Sequence, residues 1–76
     1  MNWQDYISTD PKILYGKPAI KDTRISVELI LDKLSAGESF EDLLAAYPRL
    51  SKEAIYAAFS FASESIKNQK VYSVAS

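Results

Sequence analysis

Three apolar stripes at helical spacing, each opened by a serine, leave this chain few ways to fold. Ser26 precedes Val27, Ile30, Leu31 and Leu34, with Leu29 widening the stripe. Ser39 precedes Phe40, Leu43, Leu44 and Tyr47, and Ser51 precedes Ile55, Ala58, Phe59, Ala62 and Ile66. Recurrence at three- and four-residue steps marks one face of an α-helix. A serine at the entry accepts a hydrogen bond from a backbone N–H that the first turn leaves without a partner. The spacing predicts helices over 27–36, 40–47 and 52–67. Glu28 opposes the positive end of the first helix dipole, and Asp42 can complete a capping box with Ser39. Gly37 suits a left-handed residue just past the first helix. Pro48 ends the second, because the residue before a proline is pushed out of the helical region. The second and third helices then form a helix-turn-helix shape, best known for reading DNA. The expected fold class is mainly α, with three helices around one small core.

The residues ahead of the helices read differently. Tyr6-Ile7-Ser8-Thr9 favours extended structure, and Asp10-Pro11 starts a turn. Gly16-Lys17-Pro18 and Asp22-Thr23 read as turns on either side of a short extended stretch at Ala19 to Lys21. Strands near Tyr6–Ser8 and Ala19–Lys21 can pair. A lone two-stranded ribbon is barely stable in water, so it must lie on the helices or join a second chain's ribbon. The organisation is thus an N-terminal arm over 1–25, a three-helix bundle over 26–68 and a tail over 69–76. The tail alternates late, as Val71-Tyr72-Ser73-Val74, and reads either as a frayed terminus or as a segment that orders on a partner.

Size and composition narrow the function. At 76 residues the chain is one domain, and a domain of this size buries only about 60% of its unfolded surface. It has no cysteine, which leaves a partner chain as the common route to added stability, and a homodimer is expected. It has no histidine either, the usual acid–base group and metal ligand at neutral pH. No apolar run is long enough to cross a bilayer. The start, MNWQDYISTDP, has no basic region leading into an apolar core, so no signal peptide and a cytoplasmic location are expected. Net charge is −1, unevenly spread: residues 12–24 carry +3 and residues 26–76 carry −2. A basic loop on an acidic helical body can touch phosphates or dock an acidic protein face.

The stretch GKPAIKDTRISVELILDKLSAGESFEDLLAAYPRLSKEAI adds a further pointer. Gly16-Lys17-Pro18, Ile20, Thr23-Arg24-Ile25, Val27, Leu34, Gly37, Leu43, Tyr47-Pro48, Leu50 and Ile55 resemble the pattern of domain-of-unknown-function family 433. Trp3, Ile7 and Asp10-Pro11 fit its lead-in, and the resemblance covers roughly residues 3 to 62. It implies a short β ribbon followed by a homeodomain-like three-helix bundle. It also implies a small VapB-type antitoxin that binds and silences a PIN-like nuclease toxin and contacts its own operator DNA. The family usually has glycine before Thr-Arg, where this chain has Asp22. Aspartate can take a positive φ there, with more strain than glycine.

Candidate residues follow. Arg24 can hold a phosphate or a partner carboxylate bidentately, or form an internal ion pair with Glu28 or Asp32. Lys17 and Lys21 can join it, or stand as solvated charges on an extended edge. On the third helix, Lys52, Tyr56 and Ser60 fall on the outward face, with Glu53, Ser63, Glu64 and Lys67. That face has two lysines against two glutamates and no arginine, so it reads as a weak DNA surface or as a helix that only packs. Trp3, Tyr6 and Ile7 form a lid on the core or half of a dimer contact. Phe61, off the main stripe, is expected at a second chain. Asp5, Asp10 and Asp22 have no spacing that fixes a metal site, and no nucleophile–base pair or phosphate cradle appears. Neither catalysis nor a cofactor is expected. The competing functional reading is a protein-only interaction module that keeps the helix-turn-helix shape without DNA binding.

Overall fold

A computed structural model describes residues 1–69; residues 70–76, including the alternating part of the tail, lie outside the described residues. The chain forms a two-stranded antiparallel ribbon, β1 (Ile7–Ser8) and β2 (Ala19–Ile20), and three helices, α1 (Val27–Ser35), α2 (Phe40–Ala46) and α3 (Lys52–Lys67). All three helices begin where the serines place them. The first two end one residue earlier than the apolar spacing suggested.

Each entry serine works as a cap. The Leu29 N–H donates to Ser26 Oγ at 2.9 Å, and the Ala54 N–H donates to Ser51 Oγ at 3.1 Å. At α2 the box is complete: the Asp42 N–H donates to Ser39 Oγ at 3.0 Å, and the Ser39 N–H donates back to Asp42 Oδ2 at 3.0 Å. Gly37 closes α1 at φ +98°, a conformation that a side chain would strain.

The ribbon pairs Ile7 with Ile20 and Ser8 with Ala19. It lies against the helices, which supplies the support that a bare ribbon lacks. Two hydrogen bonds stitch the turn after β2: the Ile20 N–H donates to the Ile25 carbonyl at 2.9 Å, and the Thr23 hydroxyl donates to the Ile20 carbonyl at 2.8 Å. Asp22 sits in this turn at φ +61°. Before β2, Leu14, Tyr15 and Gly16 all take positive φ, at 51°, 57° and 82°. Left-handed backbone costs a side-chain-bearing residue about 1–2 kcal/mol. The apolar pattern gave no sign of this turn, which leaves Tyr15 99% exposed.

The core gathers Ile7, Ile20, Ile25, Val27, Ile30, Leu43, Leu50, Ala54, Ile55, Ala57 and Ala58. Ile30, Leu43 and Ile55 are its largest fully enclosed side chains, one from each helix. The inner face of α3 keeps Ile55 and Ala58 from the expected stripe but is rotated away from Phe59 and Ile66. Ala54, Ile55, Ala57 and Ala58 are buried, whereas Phe59 and Ile66 are 41% and 59% exposed. The alanines let α3 approach its neighbours closely, so the small-residue side turns inward and the bulkier stripe turns out.

Candidate functional site

The turn after β2 and the corner between α2 and α3 face each other across an open groove of about 670 Å³. Ile13, Ile25, Tyr47 and Pro48 supply its apolar lining, and Arg24 and Arg49 stand at it from the two sides with Asp22. Arg24 is positioned by the stitched turn. Its neighbour Ile25 is buried, and the Ile25 N–H donates to Thr23 Oγ1 at 3.0 Å. Arg49 is positioned by the corner, where Leu50 is buried and its N–H donates to the Tyr47 carbonyl at 2.9 Å. Both arginines are exposed. Among the described residues neither guanidinium makes an ion pair or a hydrogen bond. Two planar, always-charged forks beside an apolar lining suit a phosphate or a carboxylate, which each can bind bidentately.

Glu28, considered as a partner for Arg24, pairs instead with Lys17, at 3.2 Å. Lys17 and Glu28 side chains are 60% and 67% exposed, so this pair adds little to stability. It sits at the edge of a second, apolar groove of about 440 Å³ between α1 and the end of α3, lined by Val27, Leu31, Phe61 and Ala62. Lys17 therefore does not share the Arg24 groove. Lys21 is exposed just after β2, and Lys52 is exposed at the first position of α3, directly after the corner. Tyr56 is 50% exposed and its ring lies 5.6 Å from that of Phe40, while Ser60 is half-buried.

The residues expected to meet a second chain are largely used within one. Ile7 is buried opposite Ile20, so it presents no surface to a partner. Trp3 and Phe61 are half-buried against each other, with centroids 4.8 Å apart, and the Trp3 indole N–H donates to Glu64 at 2.8 Å. Tyr6 is half-buried against the core. These four form an intramolecular clasp of the N-terminus on α3, the lid that the sequence offered as the alternative to a dimer contact.

Arg49 was absent from the sequence-based set. The signal was the proline three residues before the third helix's cap: a chain forced into a tight corner projects its polar residue outward while Leu50 turns in. Among the described residues no three Asp or Glu side chains gather as a metal site, and Asp10 accepts the Lys12 N–H at 2.9 Å. No helix among them is long and apolar enough to cross a membrane.

Residues 7–62 match the family described as protein of unknown function, DUF433. The chain belongs to the DUF433 family. A crystal structure of a DUF433 member from Anabaena variabilis superposes with a TM-score of 0.78 at 30% identity, over 84% of this chain and 63% of that one. The chain is also 34% identical over 59 residues to the uncharacterized protein y4eO of Sinorhizobium fredii, which covers 78% of this chain. It spans only 27% of that relative's length. The Anabaena protein thus has a similar fold, and the Arg24 turn and the Arg49 corner of this chain both fall inside the region matched to the family.

Proposed function

We propose that this DUF433 chain is the antitoxin of a bacterial toxin–antitoxin pair, a cytoplasmic homodimer that binds a PIN-like toxin and contacts its own operator DNA. The observation that carries the DNA part is the pair of arginines, Arg24 and Arg49, brought to one groove from two segments without an internal carboxylate partner. In this reading they clamp backbone phosphates, with Lys21 and Lys52 adding charge nearby. Contacts of this type position a protein on DNA and carry no sequence information by themselves. Tyr56 and Ser60 take no part, because the Tyr56 ring lies beside Phe40 and Ser60 is half-buried. The toxin would cover the apolar groove between α1 and α3 formed by Val27, Leu31, Phe61 and Ala62.

A second reading, a protein-only interaction module, is favoured by the exposed aromatic rings of Tyr56 and Phe59. A gel shift with DNA from upstream of the gene separates the two. The antitoxin reading expects a complex that is lost on Arg24→Ala with Arg49→Ala, and co-purification with the product of the neighbouring gene. No shift at low salt leaves the protein-only module.

A further inference from the structure

Helix α3 is apolar on two opposite sides. One side, Ala54, Ile55, Ala57 and Ala58, is buried in the monomer. The other presents Tyr56, Phe59, Ser63 and Ile66, spaced by three, four and then three residues along the helix. Tyr56, Phe59 and Ile66 are 50%, 41% and 59% exposed. Phe40 of α2 broadens this stripe, with its ring 5.6 Å from Tyr56 and 6.1 Å from Phe59. Apolar residues that recur in threes and fours along an exposed helix form the seam of a helix pair.

We propose that this stripe is the two-fold interface with a second copy of the chain, the α3 helices packing antiparallel. The proposal rests on the dimeric state given above and assigns its contact face. Two features of the stripe select a second copy in this orientation. The first is size. A two-fold axis near the level of Phe61 sets Phe59 opposite Ser63 of the other copy, large against small, and Tyr56 opposite Ile66. A parallel pairing would instead stack Phe59 on Phe59 and leave a gap at Ser63. The second is charge. Glu53 and Lys67 flank the stripe near opposite ends of α3. Antiparallel packing brings Glu53 toward Lys67 of the other copy, twice by symmetry, whereas parallel packing sends these same-flank charges to opposite edges of the seam, where they do not meet. A small core with one large enclosed side chain per helix gains from such a partner. The arrangement also takes the outward face of α3 away from DNA and leaves the Arg24–Arg49 groove, on other elements, uncovered by this stripe.

The test is the mass of the full chain in solution by light scattering, with circular dichroism to verify folding. The wild type is expected to be a dimer. Ser63→Arg, at an exposed position outside the core, is expected to give a folded monomer. Glu53→Lys is expected to weaken the dimer about tenfold, and Glu53→Lys with Lys67→Glu to restore it. A wild type that stays monomeric at millimolar concentration overturns both the dimer and this face. A dimer unaffected by Ser63→Arg and by Phe59→Glu overturns this face alone, and neither result depends on whether DNA binds.

Discussion

Trp3 meets Phe61 edge to face, with ring planes at 83°, and so ties the first turn of the chain to the third helix. Edge-to-face aromatic pairs contribute about 0.5–1.5 kcal/mol beyond their burial, and a hydrogen bond to a charged group adds about 1.5–3 kcal/mol before exposure is discounted. Trp3→Ala removes both, together with half-buried apolar area. It should lower stability by about 2 kcal/mol, read as a fall in the urea midpoint. Trp3→Phe keeps the ring contact and loses the bond to Glu64, so it should cost about 1 kcal/mol or less. Trp3 is the chain's single tryptophan, and its fluorescence reports release of the clasp directly.

Leu43 is fully enclosed at the centre of the bundle. Leu43→Ala leaves a cavity and should cost about 2–5 kcal/mol. That is a large share of the stability open to a domain of this size, and thermal melts should show partial unfolding at room temperature.

Asp22 takes φ +61° in the turn that positions Arg24. Asp22→Gly relieves left-handed strain and should raise the melting temperature, by up to about 1 kcal/mol in free energy. Asp22→Val places a β-branched residue in the same conformation and should cost more than that. If neither substitution moves the melting temperature, the turn is not held in this geometry.

The capping box at α2 has both of its hydrogen bonds at 3.0 Å. Ser39→Ala should cost about 1 kcal/mol, while Lys17→Ala, which breaks an exposed ion pair, should change stability by less than about 0.5 kcal/mol.

Much of the fold could be read from the sequence because its signals are local. Ser26, Ser39 and Ser51 announce helix starts by chemistry within one turn, and Gly37 and Pro48 announce breaks by backbone sterics. The ribbon followed from turn residues around two short extended stretches. On α3, Ile55 and Ala58 face inward as expected, and Phe59 and Ile66 were misplaced for a different reason. Phe59 and Ile66 fit the helical period as well as Ala54 and Ala57 do, and period alone does not say which of two stripes faces inward. Close approach of the helix favoured the alanines, and that depends on the tertiary packing. The basic groove was half visible. Arg24 stood out beside the turn residues, but Arg49 became its neighbour only when the α2–α3 corner folded against the turn after β2. The partner of Glu28 was not legible either: of the alternatives left open for Arg24, the pair with Glu28 does not form, and Lys17, eleven residues away, reaches it instead.

The central claim is that Arg24 and Arg49 together hold the phosphate backbone. Its most direct measurement is the salt dependence of affinity for operator DNA, by fluorescence anisotropy, for the wild type and for Arg24→Ala with Arg49→Ala. Each lost phosphate contact should make the slope of log K against log salt shallower by about 0.9, so the double variant should be shallower by about 1.8 per protomer, with weaker binding. Equal slopes and affinities in the two proteins would contradict the account.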